Sequence, residues 1–140
     1  MKAKMMDVLE AFEMSDDELH YVYNKKTGEV VIVADDSSDF ESDEDVDMAE
    51  LEANEDQYIA LPDKFDINDY HIMEQFIWQL PAGEQQTELE RSIQGRGAFR
   101  YFRNTLDRFE MTQEWYDFQN ETYRKMAVEW GEVNGVELVE

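Results

Sequence analysis

The chain predicts an α+β fold: an N-terminal helix, an antiparallel β-hairpin with room for a third short strand beside it, and a four-helix C-terminal part. Three observations carry this. One segment gathers β-branched and aromatic residues on either side of a glycine-bearing turn, as paired strands do. Beyond residue 66 the apolar residues recur at helical spacing, segment after segment. The 140 residues, 42% hydrophobic and 13% aromatic, suffice for one domain over 1–140 with a real core.

The elements follow in order. Residues 4–14 read as a helix with Met5, Val8, Leu9 and Phe12 on one face and Asp7, Glu10 and Glu13 outside; Ser15-Asp16-Asp17 ends it. His20-Tyr21-Val22-Tyr23 and Glu29-Val30-Val31-Ile32-Val33 form the hairpin around Asn24-Lys25-Lys26-Thr27-Gly28, where Gly28 supplies the positive φ of a bulged turn. From Asp35 to Asp56 there are twelve acids and no basic residue. Its first part, about 35–47, is expected to be a mobile acidic loop, and residues 43–53 an acidic helix using Val46, Ala49 and Leu51. Tyr58-Ile59-Ala60-Leu61-Pro62 is extended and could add the third strand.

Asp66 or Asn68 caps the next helix, whose stripe is Ile72, Met73, Phe76, Ile77 and Leu80 and whose stop is Pro81. Residues 83–94 follow, with Leu89 and Ile93 inward. Residues 98–109 place Phe99, Phe102, Leu106 and Phe109 on one face. Thr112 caps a last helix running to about Asn134, with Trp115, Phe118, Thr122, Met126 and Trp130 on one side and Asn134-Gly135 as its stop.

Composition excludes several chemistries. Cysteine is absent, so disulfides, thiolate catalysis and cysteine-bound zinc are excluded. No apolar run approaches the ~20 residues of a membrane span, and the start of the chain does not have the apolar stretch of a signal peptide, so a cytoplasmic protein of bacterial type is the simplest expectation. The net charge of −23 argues against direct nucleic-acid binding. The charge is uneven. Residues 1–60 hold 19 acids and 4 lysines, whereas residues 61–140 hold 16 acids, 8 basic residues and every arginine.

No catalytic constellation emerges. His71 stands beside an apolar stripe with Glu74 one turn on, an order opposite to the Glu-x-x-His pairs of carboxylate-bridged metal bundles; it and His20 are read as ordinary histidines. Ser92 has no evident base. An EF-hand needs a glycine inside its loop, and none lies between Gly28 and Gly83. There is no Walker loop, and no metal or cofactor is expected. Trp115, Tyr116, Phe118, Tyr123 and Trp130 read as core.

The candidate site is the turn and helix start Gly95-Arg96-Gly97-Ala98-Phe99-Arg100-Tyr101-Phe102-Arg103. Five of the twelve basic residues lie between Arg91 and Arg108. Gly95 can close one helix in a left-handed conformation and Gly97 can open the next. Arg96, Arg100 and Arg103, with the free amides of the helix start, could then hold an anion or a protein partner. The more economical alternative is a tight turn whose arginines pair with acids of neighbouring helices.

Several of these residues carry a resemblance. Thr27-Gly28-Glu29-Val30-Val31, Gly95-Arg96-Gly97-Ala98-Phe99-Arg100-x-Phe102, Trp115-Tyr116-x-Phe118, Glu129-Trp130 and Asn134-Gly135 together resemble the bacterial uncharacterised protein family numbered 0158 in the UPF series. The likeness runs from about residue 5 to residue 138, and the Gly-Arg-Gly-Ala-Phe-Arg run is its specific part. The family tends to have lysine where this chain has Arg103, so a planar fork replaces a point charge. The resemblance implies a small bacterial protein and supplies no reaction.

The resulting expectation is a non-enzymatic protein-interaction or regulatory module with a protein partner. The alternatives are a phosphate or nucleotide binder at the Gly95–Gly97 turn and an acidic decoy that mimics nucleic acid through residues 35–56. The exposed hairpin edge is open to a second copy, which makes a homodimer an expectation too.

Overall fold

The computed structural model describes residues 1–15, 20–34 and 46–140. The elements run β1 (Lys2–Lys4), α1 (Met5–Met14), β2 (His20–Asn24), β3 (Glu29–Ala34), β4 (Val46–Asp47), α2 (Met48–Ala53), β5 (Tyr58–Ala60), α3 (Lys64–Ile67), α4 (Asp69–Trp78), α5 (Glu84–Ser92), α6 (Ala98–Arg108), α7 (Thr112–Asn134) and β6 (Glu137–Val139). The fold is α+β, as the residue patterns imply. They form two compact units, Met1–Ile67 with Tyr123–Glu140, and Asn68–Thr122.

The first unit is built on the hairpin. β2 and β3 pair antiparallel, His20 opposite Val33 through Asn24 opposite Glu29. Their turn is held by the Asn24 side chain, which accepts from the Lys26 and Thr27 amides at 2.9 and 3.3 Å, and Gly28 takes φ 77°. β5 pairs antiparallel with β2, giving the third strand. β4 adds in parallel to β3, so the sheet order is β4-β3-β2-β5.

Two expectations change here. Val46 and Asp47 belong to a strand, not to the helix expected over 43–53, because β-branched Val46 finds a partner in Val33 on β3. That helix is confined to Met48–Ala53. Residues 35–45 of the expected mobile loop, and 43–45 of the expected helix, lie outside the described residues. The hairpin edge counted on for dimerisation is covered on both sides, and the edges that remain belong to strands of two and three residues.

Successive strand residues face opposite ways, so the sheet has two apolar faces. On one, Val22, Val31, Val33 and Tyr58 form a buried cluster against Leu51 of α2. The Tyr58 hydroxyl donates to Glu50 at 3.1 Å, and burial together with that carboxylate pushes the phenol pKa up. On the other face Tyr23 is 1% exposed. Its ring meets Trp130 edge-on at 6.0 Å, and its hydroxyl donates to the Lys2 carbonyl at 2.7 Å. The Trp130 indole N–H in turn donates to the Ala60 carbonyl at 2.9 Å. α1 buries Met5, Val8, Ala11 and Phe12, the last edge-on to Tyr123.

After α7 the chain reverses at Gly135, φ 72°, and returns as β6 in parallel with β1, Ala3 opposite Leu138. This small sheet was not foreseen. Each strand has three residues, too few for a periodic pattern, and their pairing joins opposite ends of the chain.

The second unit packs around Phe76 of α4. Its ring lies edge-on to Phe102 of α6 at 6.3 Å and to Trp115 and Phe118 of α7 at 5.5 and 5.4 Å. Asn68 is the cap of α4; its side chain accepts from the His71 amide, and its own φ is 53°. Asp66 instead exchanges hydrogen bonds with Asp63 across the start of α3. Gln86 of α5 donates to the Ile77 and Leu80 carbonyls and so closes the end of α4. Thr112 opens α7 with its hydroxyl donating to Asp107 at 2.6 Å rather than capping a backbone amide in the expected way.

Two stability outcomes follow, both measurable by urea denaturation. Tyr23→Phe removes only the hydroxyl and is expected to cost about 1 kcal/mol. Tyr23→Ala also empties the ring's place and is expected to cost about 3–5 kcal/mol. Gly131 lies inside α7, where alanine normally gains about 1 kcal/mol over glycine. A Cβ there would run into the Val136 carbonyl oxygen and the Leu138 side chain. Gly131→Ala is therefore expected to destabilise, by about 2 kcal/mol or more, whereas Gly83→Ala, with open space around it, is expected to be neutral or slightly favourable.

Candidate arginine face on helix α6

The Gly95–Gly97 turn takes its form from backbone geometry. Gly95 has φ 140° and Gly97 φ 71°, ψ 25°, while a Cβ at either would meet nothing within 4 Å. Conformation rather than space demands these glycines. α5 ends at Ser92, earlier than expected, with Ile93 as its C-cap, so Gly95 lies beyond the cap and does not itself close the helix. Gly97 is the N-cap of α6 and offers no side chain to the first-turn amides, and that turn contains no acid. A helix start of this kind leaves its donors and partial positive charge open.

α6 buries Phe102, Thr105 and Leu106. Phe99 was expected on that face, yet it is 52% exposed. It sits in the first turn, roughly 60° around the helix from Phe102, beside the turn and away from the aromatic cluster. Arg100 lies opposite the buried residues, and Arg103 is one turn beyond Phe99. Tyr101 is also exposed, at 47%. The site is thus an arginine face edged by two aromatic rings. The rings' exposure was missed because apolar spacing marks a face without marking where along the helix its neighbours stop.

The six arginines divide cleanly. Arg91 and Arg108 both reach Glu88, at 3.3 and 3.4 Å. Arg108 also lies 4.9 Å over the Phe109 ring. Arg124 pairs with Glu140 and holds that carboxyl below its usual range. Arg96, Arg100 and Arg103 are exposed and make no ion pair or hydrogen bond among the described residues. Asp107, one turn beyond Arg103, has its carboxylate occupied by the Thr112 hydroxyl. The ion-pair alternative therefore describes the outer two arginines of the 91–108 stretch, and the middle three stand apart from it. The bridging role of Glu88 was legible only in part: its spacing to Arg91 is helical, but its reach to Arg108 is tertiary.

The remaining candidates take ordinary places. His20 is exposed. His71 lies 3.6 Å from Glu74 at the surface, and no group of three potential metal ligands occurs among the described residues. Ser92 is buried with its hydroxyl donating to the Leu89 carbonyl at 2.6 Å. Trp115, Tyr123 and Trp130 are core, while Tyr116 is exposed. The acidic stretch 35–56 lies half outside the described residues. No helix among the described residues is long and apolar enough to cross a membrane.

Comparison with known proteins places this geometry in a family. A curated relative, the UPF0158 protein PA5073 of Pseudomonas aeruginosa, is 24% identical over 139 residues, covering 98% of this chain and 88% of the relative. No solved structure matches at a significant level. The model of the uncharacterised protein family UPF0158 matches residues 1–140. The chain therefore belongs to the UPF0158 family.

Proposed function

We propose that this chain is a non-enzymatic protein-interaction module that docks an acidic segment of a protein partner on the arginine face of α6. One observation supports the reading above all. In a chain of net charge −23, Arg96, Arg100 and Arg103 stay exposed and without an ion pair among the described residues, although carboxylates outnumber basic residues and a single one, Glu88, takes two other arginines. Guanidinium forks bind carboxylates through paired, charge-assisted hydrogen bonds. The rest of the surface repels acidic molecules over a longer range. Only a partner that places its carboxylates on α6 gains at contact, which favours selectivity over strength. Phe99 and Tyr101 add apolar area of the kind that anchors interfaces.

The start of α6 favours a second reading. An N-cap without a side-chain acceptor and a first turn without acids also suit a phosphate group. The two readings separate by experiment. Affinity co-purification from a bacterial host should recover an acidic partner with the wild type, and the purified partner should bind the Arg96/Arg100/Arg103→Ala variant at least about tenfold more weakly, while the variant keeps its circular dichroism. Unchanged affinity would remove the arginine face from the interaction. If the turn is a phosphate site instead, inorganic phosphate or a nucleotide at a hundred times its dissociation constant should stabilise the protein by about 2.7 kcal/mol. No shift beyond a matched salt control would count against that.

A further inference from the structure

We infer that the acidic occupant of the arginine face is a second copy of this chain, which offers its own Asp35–Asp45; the inference rests on the reading just given. The sequence supplies the complement. Residues 35–45 hold seven acids, no basic residue and a single aromatic, Phe40. The face that would receive them holds three guanidinium groups unpaired among the described residues, with Phe99 and Tyr101 exposed at 52% and 47%. The match is twofold: carboxylates for the forks, and one apolar ring for the exposed rings.

The geometry of exchange adds to this. The face of one copy and the acidic stretch of the other are different surfaces, so a two-fold arrangement makes the contact twice, once in each direction. Opposing it is the net charge of −23 on each copy. That repulsion is screened beyond about 8 Å at physiological ionic strength, whereas the carboxylate–guanidinium contacts act at shorter range. The association is therefore expected to be salt-sensitive and to weaken near ~1 M salt, where screening reaches about 3 Å. Apolar strand-edge pairing would behave oppositely.

A charge swap on the full chain tests it by sedimentation velocity. One variant carries Arg96→Glu, Arg100→Glu and Arg103→Glu; the other carries Asp36→Lys, Asp39→Lys and Asp43→Lys. Both are checked for native circular dichroism. The wild type is expected to dimerise in the micromolar range, and each variant alone to raise the dimer dissociation constant at least about tenfold. An equimolar mixture of the two is expected to recover the dimer, because both contacts become complementary again. A wild type that stays monomeric, a dimer indifferent to both variants, or a mixture that fails to recover would each overturn the inference. The co-purification above reads the underlying proposal separately. A monomeric wild type that still captures an acidic protein through α6 refutes self-pairing alone, and loss of both refutes both.

Discussion

The first unit depends on how two large aromatic rings satisfy their polar ends. Burying a tyrosine hydroxyl or an indole N–H without a partner costs several kcal/mol, roughly 1–3 by mutational measure. Tyr23 is buried and has the Lys2 carbonyl as its acceptor; Trp130 has the Ala60 carbonyl. The rings also meet each other edge-on. One contact therefore ties β1, β2, β5 and the end of α7, drawing in segments from the beginning, middle and end of the chain. The reversal at Gly135 and the open space demanded at Gly131 follow from it, since β6 must return closely past α7 to reach β1.

The second unit rests on a different economy. Phe76, Phe102, Trp115 and Phe118 fill its centre edge to face, and polar side chains such as Gln86 and Tyr70 close the helix ends against backbone carbonyls. Its outer surface carries five of the six arginines. Structural ion pairing accounts for Arg91 and Arg108. It does not reach Arg96, Arg100 or Arg103, whose side of α6 faces away from the buried residues. A surface that has charge to spare, in a chain otherwise short of that sign, is the physical basis of the functional reading.

Much of this was legible in the residues. The hairpin, its glycine, the Asn68 cap and the Asn134-Gly135 stop are local signals, each enforced within a few residues, and all are found where the pattern put them. What escaped was non-local or too short. β1 and β6 stabilise one another only after the chain has closed on itself. Val46-Asp47 is strand only because β3 lies beside it. The arginine run was visible as composition, but which arginines Glu88 takes depends on α5 lying against α6, and the exposure of Phe99 depends on where the aromatic cluster ends.

The most direct measurement is the folding stability of the Arg96/Arg100/Arg103→Ala variant beside Glu88→Gln, by urea denaturation. If the three central arginines serve recognition and not the fold, the triple variant should stay within about 1 kcal/mol of wild type, the range of ordinary surface substitutions, and unfold with the same denaturant dependence. A loss of about 3 kcal/mol or more would mean these arginines are consumed in holding the protein together, and the account of α6 as a binding face would fail.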